Sequence, residues 1–426
     1  MLVVWGSNRD NQLGIETSDT GNDETSHVIF EPTFNISMQN YVVEGVSCGS
    51  RHTLAFTNEG KVFSWGWGAC GQLGHGNFEN VQKPKLIEAI SDFCVVLVSA
   101  GGMHSAALLS SGEAYIWGSN SFGQLGCGPS DNEKNSSNPH KVTIVSEEEE
   151  NLKLKKISCG GMHSAVVTSE GEVYCWGRAD SGQLGIGYQW VHRKNNNQNA
   201  MGIEYPQHCV ELKGKMVSDI CCGAFHTSVT TESGEVFTWG KEDHGQLGCT
   251  KMDGLSTGSL ILPHLAPIKL NQTEDPPKNC FDSNDSNFKN ELAQKAKKVA
   301  SGGWHTAVVT EDNAAWLCGR GEYGRLGFGN EISKSSLEKI PFFEGTEIAE
   351  IATGGSHSLF LTTGGKVYAC GRVFGGRLGL GNNTGQKNIL SPTKLEKFEE
   401  LEAKGFAVVQ ISAGGNHSAA VITQTS

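Results

Sequence analysis

The sequence predicts an all-β protein, a seven-bladed β-propeller closed by combining N- and C-terminal strands in one blade. Three observations predict this fold. A histidine followed by Ser or Thr recurs seven times, a Trp-Gly or Cys-Gly pair follows at a fixed spacing, and 55 glycines occur among the 426 residues. A fixed internal spacing that recurs along a chain indicates a repeat architecture, in which each unit buries its apolar face against its neighbours.

Three positions define the repeat. The first is a histidine, found at His52, His104, His163, His226, His305, His357 and His417. Thirteen residues later, as from residue 52 to 65, stands Trp or Cys followed by Gly, at Trp65, Trp117, Trp176, Trp239, Cys318 and Cys370, with Trp5 as a further copy near residue 1. Seven residues after that lies the second residue of a Gly-(Gln/Arg)-Leu-Gly tetrad, at Gln72, Gln124, Gln183, Gln246, Arg325 and Arg377, with Gln12 following Trp5.

Within each repeat the residues predict a β-hairpin. In the third repeat an apolar run at 157–168 passes through a turn at 169–171 into an alternating run at 172–177. The turn position lies eight residues after the histidine and holds residue types that tolerate positive φ. It is occupied by Gly60, Gly112, Gly171, Gly234, Asn313 and Gly365. The Gly-Gly that precedes several of the histidines is typical of a place where backbones pack closely.

The two incomplete repeats predict how the ring closes. His417 has no Trp-Gly pair after it, and Trp5 has no histidine before it. Together these halves make one repeat, with the two ends of the chain standing where the other repeats have their hairpin turn. A blade built from both ends removes the free sheet edges of a propeller.

Composition narrows the class of protein. We expect one domain spanning 1–426, with insertion loops at about 186–213 and 249–298, and a possible short helix at 289–298. Five of the thirteen cysteines stand in repeat positions, Cys48, Cys159 and Cys222 before the histidine and Cys318 and Cys370 in place of the tryptophan, which predicts reduced, buried thiols. No stretch is apolar enough to cross a bilayer. We therefore expect a cytoplasmic and/or nuclear monomer without membrane insertion. The net charge of −12 and the lack of a basic tail argue against direct binding to nucleic acid.

No catalytic constellation emerges from the sequence. Two GxGxxG matches, at 66–71 and 319–324, lie between a strand and the tetrad turn, where no helix follows to bind a nucleotide. The histidines come one from each repeat beside Ser or Thr, so a structural role, hydrogen bonding to blade backbone, is favoured over a metal ring. We expect no enzyme activity, no cofactor and no metal.

These Trp-Gly, Gly-Gln-Leu-Gly and Gly-Gly-x-His-Ser/Thr segments resemble the repeats of the regulator of chromosome condensation family, whose members form seven-bladed propellers. A well-known member is a guanine nucleotide exchange factor for the Ran GTPase, with aspartates in the segment just before the histidine. This chain has no aspartate there. A plant ultraviolet-B photoreceptor of the family carries tryptophans two residues before the histidine, where this chain has Ser50, Gly102, Gly161, Ala224, Gly303, Gly355 and Gly415.

The residue immediately before each repeat histidine is the candidate partner-binding position. Repeat-equivalent positions lie at equivalent places on one face of a propeller, so four successive blades present large apolar side chains there, and methionines and aromatics are typical of interaction hot spots. The candidates are Arg51, Met103, Met162, Phe225 and Trp304, with Ser356 and Asn416 completing the circle. The alternative is that these side chains only fill the central channel or the seams between blades.

The predicted function is protein binding by a rigid propeller. The family resemblance implies a small GTPase as partner, with the chain acting as an exchange factor or regulator. The alternative is a non-catalytic adaptor or scaffold, for example in ubiquitin or trafficking complexes. A more remote alternative is an ultraviolet-B photoreceptor.

Overall fold

The structure is a computed structural model that describes residues 1–16, 26–128, 135–145, 152–187, 202–248, 266–268, 294–382 and 385–425. These residues form seven four-stranded antiparallel sheets arranged as blades. Blade 1 contains β1 (Leu2–Ser7), β2 (Val28–Phe34), β27 (Phe406–Ala413) and β28 (His417–Gln424), and blade 2 contains β3 (Val43–Cys48), β4 (His52–Thr57), β5 (Val62–Gly66) and β6 (Val81–Leu86).

The remaining blades follow in chain order with the same plan. Blade 3 contains β7 (Val95–Ala100), β8 (His104–Leu109), β9 (Ala114–Ser119) and β10 (Asn135–Lys141), and blade 4 contains β11 (Leu154–Cys159), β12 (His163–Thr168), β13 (Val173–Arg178) and β14 (Gly202–His208). Blade 5 contains β15 (Val217–Cys222), β16 (His226–Thr231), β17 (Val236–Gly240) and β18 (Ala266–Ile268). Blade 6 contains β19 (Ala296–Ser301), β20 (His305–Thr310), β21 (Ala315–Gly319) and β22 (Lys334–Lys339), and blade 7 contains β23 (Ile348–Thr353), β24 (His357–Thr362), β25 (Val367–Arg372) and β26 (Asn388–Lys394).

Helical structure in the described residues is short and lies in the connections between strands. One α-helix, α1 (Glu396–Glu402), follows β26 and buries Phe398 and Leu401. The 3-10 turns are Ile36–Met38, Glu88–Ile90, Val210–Leu212, Glu322–Gly324, Pro341–Phe343 and Phe374–Gly376. Within the described ranges no helix is long and apolar enough to cross a membrane.

The predicted closure is confirmed. In blade 1 the strand β1 pairs antiparallel with β28, in a register that runs from Leu2 opposite Val421 to Gly6 opposite His417. The order across the sheet is β2, β1, β28, β27, so the two ends of the chain supply two strands each. The hairpin turns of the other blades are also as predicted, since Gly60 has φ of 76° and Asn313 has φ of 60°.

The two predicted insertion loops are shorter than expected where the structure describes them. Residues 202–208 form β14 and pair with β13, and residues 296–298 belong to β19, so both segments are blade strands and not insertion. The possible helix at 289–298 is therefore wrong in its last five residues, since 294–295 are not helical and 296–298 belong to β19, while 289–293 lie outside the described residues. The outer strands are mostly half-buried and show little alternation of buried and exposed residues, so the hydrophobic pattern alone did not identify them.

The inner ends of the seven blades are joined by a closed belt of backbone hydrogen bonds. The N–H two residues before each repeat histidine donates to the carbonyl of the first glycine of the next blade, at 3.0 to 3.1 Å. The belt runs Ser50 to Gly101, Gly102 to Gly160, Gly161 to Gly223, Ala224 to Gly302, Gly303 to Gly354, Gly355 to Gly414 and Gly415 to Gly49. The acceptor position is glycine in all seven blades because an added Cβ would lie within 3 Å of the neighbouring backbone, whereas the donor position holds Ser50 and Ala224 in two blades.

Replacing Gly160 with alanine is expected to destabilise the protein by about 1–3 kcal/mol, because overpacking forces the neighbours apart. The added Cβ would lie 2.4 Å from His163 Cε1 and 2.6 Å from the Gly223 carbonyl oxygen. Gly364→Ala is the matched control, since its Cβ meets only Thr362 Oγ1 at 3.8 Å. Urea unfolding of both variants checks this expectation, and an equal effect at the two positions would contradict it.

Candidate protein-docking face

The repeat histidines form a second closed belt. Each Nε2 lies 2.8 to 2.9 Å from the hydroxyl oxygen of the Ser or Thr that follows the histidine of the next blade. The pairs are His52–Ser105, His104–Ser164, His163–Thr227, His226–Thr306, His305–Ser358, His357–Ser418 and His417–Thr53. The partner is thus a side-chain hydroxyl of the neighbouring blade, and not blade backbone as the sequence suggested.

The hydrogen-bond pattern assigns the tautomer of these histidines. Each hydroxyl donates its own proton to the backbone carbonyl of a tetrad Gln or Arg, as Thr227 Oγ1 does to Gln183 at 2.9 Å. The hydroxyl oxygen must therefore accept from a protonated Nε2, which leaves Nδ1 bare. All seven Nδ1 atoms are buried without a hydrogen-bond partner among the described residues. The histidines are neutral members of the scaffold.

Burial makes protonation of these rings unfavourable. Desolvation lowers the pKa of His163 from 6.5 to about 3, and the nearby rings of His104 and His226 lower it further. Burial likewise lowers the pKa of His226 to about 4. The same cause lowers the pKa of every repeat histidine, at His52, His104, His305, His357 and His417. Across the described residues, no group of three His, Cys, Asp or Glu side chains is placed to hold a metal ion.

Each repeat tryptophan is hydrogen-bonded to the tetrad of the preceding blade and so connects the two blades. Trp176 Nε1 donates to the Gln124 carbonyl at 2.8 Å, the same oxygen that accepts the Ser164 hydroxyl at 2.8 Å. Trp5, Trp65, Trp117, Trp176 and Trp239 are all fully buried. Cys318 and Cys370 occupy the same slot in blades 6 and 7 and point their Sγ atoms at the equivalent carbonyls.

The pre-histidine residues all lie at one end of the blades, beside the residue that follows each Trp-Gly or Cys-Gly pair. The N–H of that residue donates to the pre-histidine carbonyl at 2.8 to 3.0 Å in all seven blades. The pairs are Asn416–Ser7, Arg51–Trp67, Met103–Ser119, Met162–Arg178, Phe225–Lys241, Trp304–Arg320 and Ser356–Arg372. We call the surface made by these fourteen residues and the tetrad turns the histidine face.

Cations and aromatic rings interleave across the histidine face from blade 3 to blade 6. The guanidinium of Arg178 lies 5.1 Å from the ring of Phe122 and 5.4 Å from that of Phe225. Lys241 Nζ lies 5.4 Å from the Phe225 ring and 5.2 Å from the Trp304 ring, and the two rings are 5.4 Å apart. Such contacts hold long side chains in place and leave their polar ends at the surface.

The predicted partner-binding residues are therefore together on one face but differ in their surroundings. Met103, Met162, Phe225 and Trp304 are half-buried, so each packs against its neighbours and also presents part of its surface. Arg51 is exposed, lies 4.5 Å from the Trp67 ring and is bonded to Asp10 through two nitrogens. The central cavity of about 400 Å³ is lined by inner-strand residues such as Asp219 and Glu350, and the five candidates are not among its lining.

The carboxylates of the histidine face are engaged by its cations. Asp180 accepts two hydrogen bonds from Arg178, and Lys241 lies 2.9 Å from Asp243. Glu322 pairs with Arg320 and, at 3.8 Å, with Arg325. Asp10 is held by Arg51. A partner that approaches this face therefore meets aromatic surface and paired charges, and in blades 4 to 6 the carboxylate of each pair is more exposed than its cation.

Sequence reasoning missed the residue after the Trp-Gly or Cys-Gly pair. In each of blades 4 to 7 this position holds a positively charged residue, and the four are Arg178, Lys241, Arg320 and Arg372. The signal was available in the register of the repeats. Neighbouring residues along the chain do not reveal this series, because the four cations come from four different blades.

Comparison with known proteins agrees with this geometry. Residues 68–426 match the RCC1-like domain, and residues 3–56 and 43–72 match the regulator of chromosome condensation (RCC1) repeat. The chain belongs to the RCC1-like family. Its seven-bladed propeller is therefore the family scaffold, and the residues of the histidine face that differ from blade to blade are placed on it.

Individual relatives differ widely in what they do. The chain is 29% identical over 385 residues to the ultraviolet-B receptor UVR8 of Arabidopsis thaliana, which covers 90% of this chain and 75% of the receptor. It is 29% identical over 427 residues to the human E3 ubiquitin-protein ligase HERC2, which covers 99% of this chain but only 8% of the ligase. Among solved structures, human WBSCR16 and Prp20p from Saccharomyces cerevisiae each superpose with a TM-score of 0.77 at 21% identity over 100% of this chain, covering 98% and 92% of those chains. The structural likeness shows the fold.

Proposed function

We propose that this protein is a non-catalytic docking module that holds a partner protein against its histidine face. The observation that carries the proposal is the half-buried series Met103, Met162, Phe225 and Trp304 on four successive blades, interleaved with cations. Large apolar side chains with part of their surface open to solvent suit partner binding, because aromatic rings and adaptable methionines supply contact area. The scaffold that carries them is closed by two hydrogen-bond belts, so its backbone loses little entropy when the partner docks.

Docking without catalysis is favoured over nucleotide exchange by the charges of the face. An exchange factor stabilises the nucleotide-free GTPase more than the loaded one, which requires groups that compete for its phosphate and Mg²⁺ region. Carboxylates suited to that task, such as Asp180 and Glu322, are already bonded to Arg178 and Arg320. An adaptor in a larger assembly, for example a ubiquitin or trafficking complex, needs only the binding surface.

The double variant Met162→Asp and Phe225→Asp is expected to abolish partner capture while leaving the thermal midpoint nearly unchanged. The new carboxylates would lie beside Arg178 and Lys241, which can neutralise them, so the fold tolerates the change but the apolar contact is lost. The measurement is quantitative affinity capture from cells with the tagged wild type and variant. The matched control, Val210→Asp and Phe342→Asp, changes two exposed apolar residues outside the histidine face.

Loss of captured proteins in the histidine-face variant alone supports the proposal. Equal capture by wild type and variant, or a large drop in the thermal midpoint, would show that these side chains are packing residues and that partners bind elsewhere.

Regulation of a small GTPase is the second candidate, supported by the structural likeness to Prp20p, which binds Gsp1p and histones. The assay mixes the protein with fluorescent-GDP-loaded GTPases of the Ran, Rab and Arf types. Acceleration of GDP release at micromolar protein would favour exchange, and its absence leaves docking as the function.

The photoreceptor alternative has little support in the geometry. Among the described residues the histidine face carries Trp67 in blade 2 and Trp304 in blade 6, with two blades between them one way round the ring and three the other way, so these tryptophans are not clustered. Trp304 contacts Phe225 and His244, neither of which is an indole.

A further inference from the structure

Blades 6 and 7 differ from the others because arginine replaces glutamine in the tetrad. In the other blades the Gln side-chain oxygen accepts a nearby N–H, as Gln183 Oε1 does from Ser181 at 2.9 Å. Arg325 and Arg377 instead reach towards the next blade and donate to the carbonyls of Gly355 at 3.1 Å and Gly415 at 3.2 Å. Both guanidiniums are only 2% exposed.

These two buried cations lie beneath two cations that solvent can reach. Arg320 and Arg372 are the residues after the Cys-Gly pairs of the same blades, and the Arg320 side chain is 32% exposed. Burial lowers the pKa of Arg325 to about 10, and Arg320 and Arg372 both contribute by repulsion. Burial also lowers the pKa of Arg377 to about 10, with repulsion from Arg372 and Arg325. The four guanidiniums therefore act on one another as a single positive cluster, which we call the arginine cluster.

The charge of the arginine cluster is not balanced by the described residues. Its ion pairs in the described ranges both involve Glu322, with Arg320 and Arg325. Arg377 donates to the Phe374 carbonyl, the Ser356 hydroxyl and the Gly415 carbonyl, and to no carboxylate among the described residues. Arg372 has no ion pair with a described residue. Four positive charges against one negative charge leave a surplus that favours an anionic ligand.

Aromatic rings fix the orientation of the exposed guanidiniums. Arg372 lies 4.8 Å from the ring of Tyr323 and 5.3 Å from that of Phe374, while the buried Arg325 lies 5.4 Å from the Tyr323 ring. Tyr323 adopts φ of 67°, which is unusual for a residue other than glycine and places its ring between the two arginines. A guanidinium stacked in this way keeps its N–H edge available for an anion.

We propose that the arginine cluster is a recognition site for a phosphoryl group on a segment of the partner protein, with Arg320 and Arg372 as its direct ligands. A phosphate carries close to two negative charges and three acceptor oxygens, so it matches the charge surplus and the forked donors better than a single carboxylate. Arg325 and Arg377 contribute as positioned charges beneath the ligand. The site rests on the proposed docking function and specifies the chemistry of the partner.

The test uses the full chain and three pools of fluorescent short peptides with degenerate flanks around a central serine, phosphoserine or glutamate. Fluorescence anisotropy near physiological salt is expected to show the phosphoserine pool binding about tenfold or more tightly than either other pool. R320Q/R372Q should lose at least about tenfold in that affinity. The control K141Q/K366Q removes two positive charges from exposed ion pairs with Glu113 and Glu402 and should bind as the wild type does.

R320K/R372K keeps the charge but removes the fork, and it should bind the phosphoserine pool more weakly than the wild type. This variant keeps the test decisive even if R320Q/R372Q does not fold. Equal binding of the phosphoserine and glutamate pools, absence of binding, or full retention of affinity by the folded variants would overturn the site. If partner capture still depends on Met162 and Phe225 in that case, the docking function stands and only the phosphoryl site falls.

Discussion

Lowering the pH from 7.5 to 5.5 is expected to remove most of the stability of this protein. The repeat histidines have folded-state pKa values far below 6.5, about 3 for His52, His163 and His417 and about 4 for His104 and His226. As the pH falls below 6.5, the unfolded chain binds protons that the folded chain does not. The stabilisation is therefore complete above that pH and is lost as the pH falls towards the folded-state pKa.

The expected size of the loss follows from the number of histidines. At one pH unit below the ordinary histidine pKa, each buried neutral histidine lowers the free energy of unfolding by about 1.4 kcal/mol. Seven independent groups would lose on the order of 10 kcal/mol at pH 5.5, which is comparable to the whole stability of a typical protein. Urea unfolding between pH 7.5 and 5.5 measures it.

Two variants distinguish the contribution of the buried histidine belt from that of an exposed histidine outside it. His163→Gln should reduce the pH-dependent loss by about 1.4 kcal/mol, because one of the buried titrating groups is gone. His140→Gln changes an exposed histidine and should leave the loss as it is in the wild type. A free energy of unfolding that stays constant across this range would contradict the neutral histidine belt.

Trp176→Ala is expected to destabilise the protein by about 3–5 kcal/mol. The indole is fully buried, and its Nε1 donates to the Gln124 carbonyl at 2.8 Å, so the change leaves a cavity between blades 3 and 4 and removes a donor from a shared acceptor. The free energy of unfolding from urea titration measures the effect.

The repeat itself offers the matched control. Cys370 occupies the same position in blade 7, is fully buried and directs Sγ towards the Arg325 carbonyl at 3.5 Å. Cys370→Ala removes one atom and is expected to cost about 1 kcal/mol. If both variants lose the same free energy, the indole is not the lock between blades, and the account of the repeat tryptophans is wrong.

The scaffold could be predicted from the sequence because its causes are local and recur in register. A glycine or asparagine in every hairpin turn, and incomplete repeats at both ends, were enough to place the seven blades and the closure through β1 and β28. The outer strands were harder, since β14 is only half-buried and β18 has three residues, and neither shows a clear alternation.

The charge arrangement of the face could not be predicted from the order of residues along the chain. Arg320 and Arg372 are separated by one complete repeat, yet Arg320 shares Glu322 with Arg325, and Arg372 shares the Tyr323 ring with Arg325. The histidine partners were missed for a related reason. The hydroxyl that accepts the hydrogen bond from His163 Nε2 belongs to Thr227 in the next blade. Along the chain the nearest hydroxyl to His163 is that of Ser164, so residue order does not indicate the true partner.

The most direct test of the histidine face as the docking surface is site-specific photo-crosslinking in cells. A photoreactive phenylalanine analogue is placed at Phe225, and in a separate protein at the exposed Phe342, which lies outside the histidine face. We expect covalent adducts with the same partner that wild-type protein captures from position 225 and none from position 342. Adducts from position 342 alone would contradict the account.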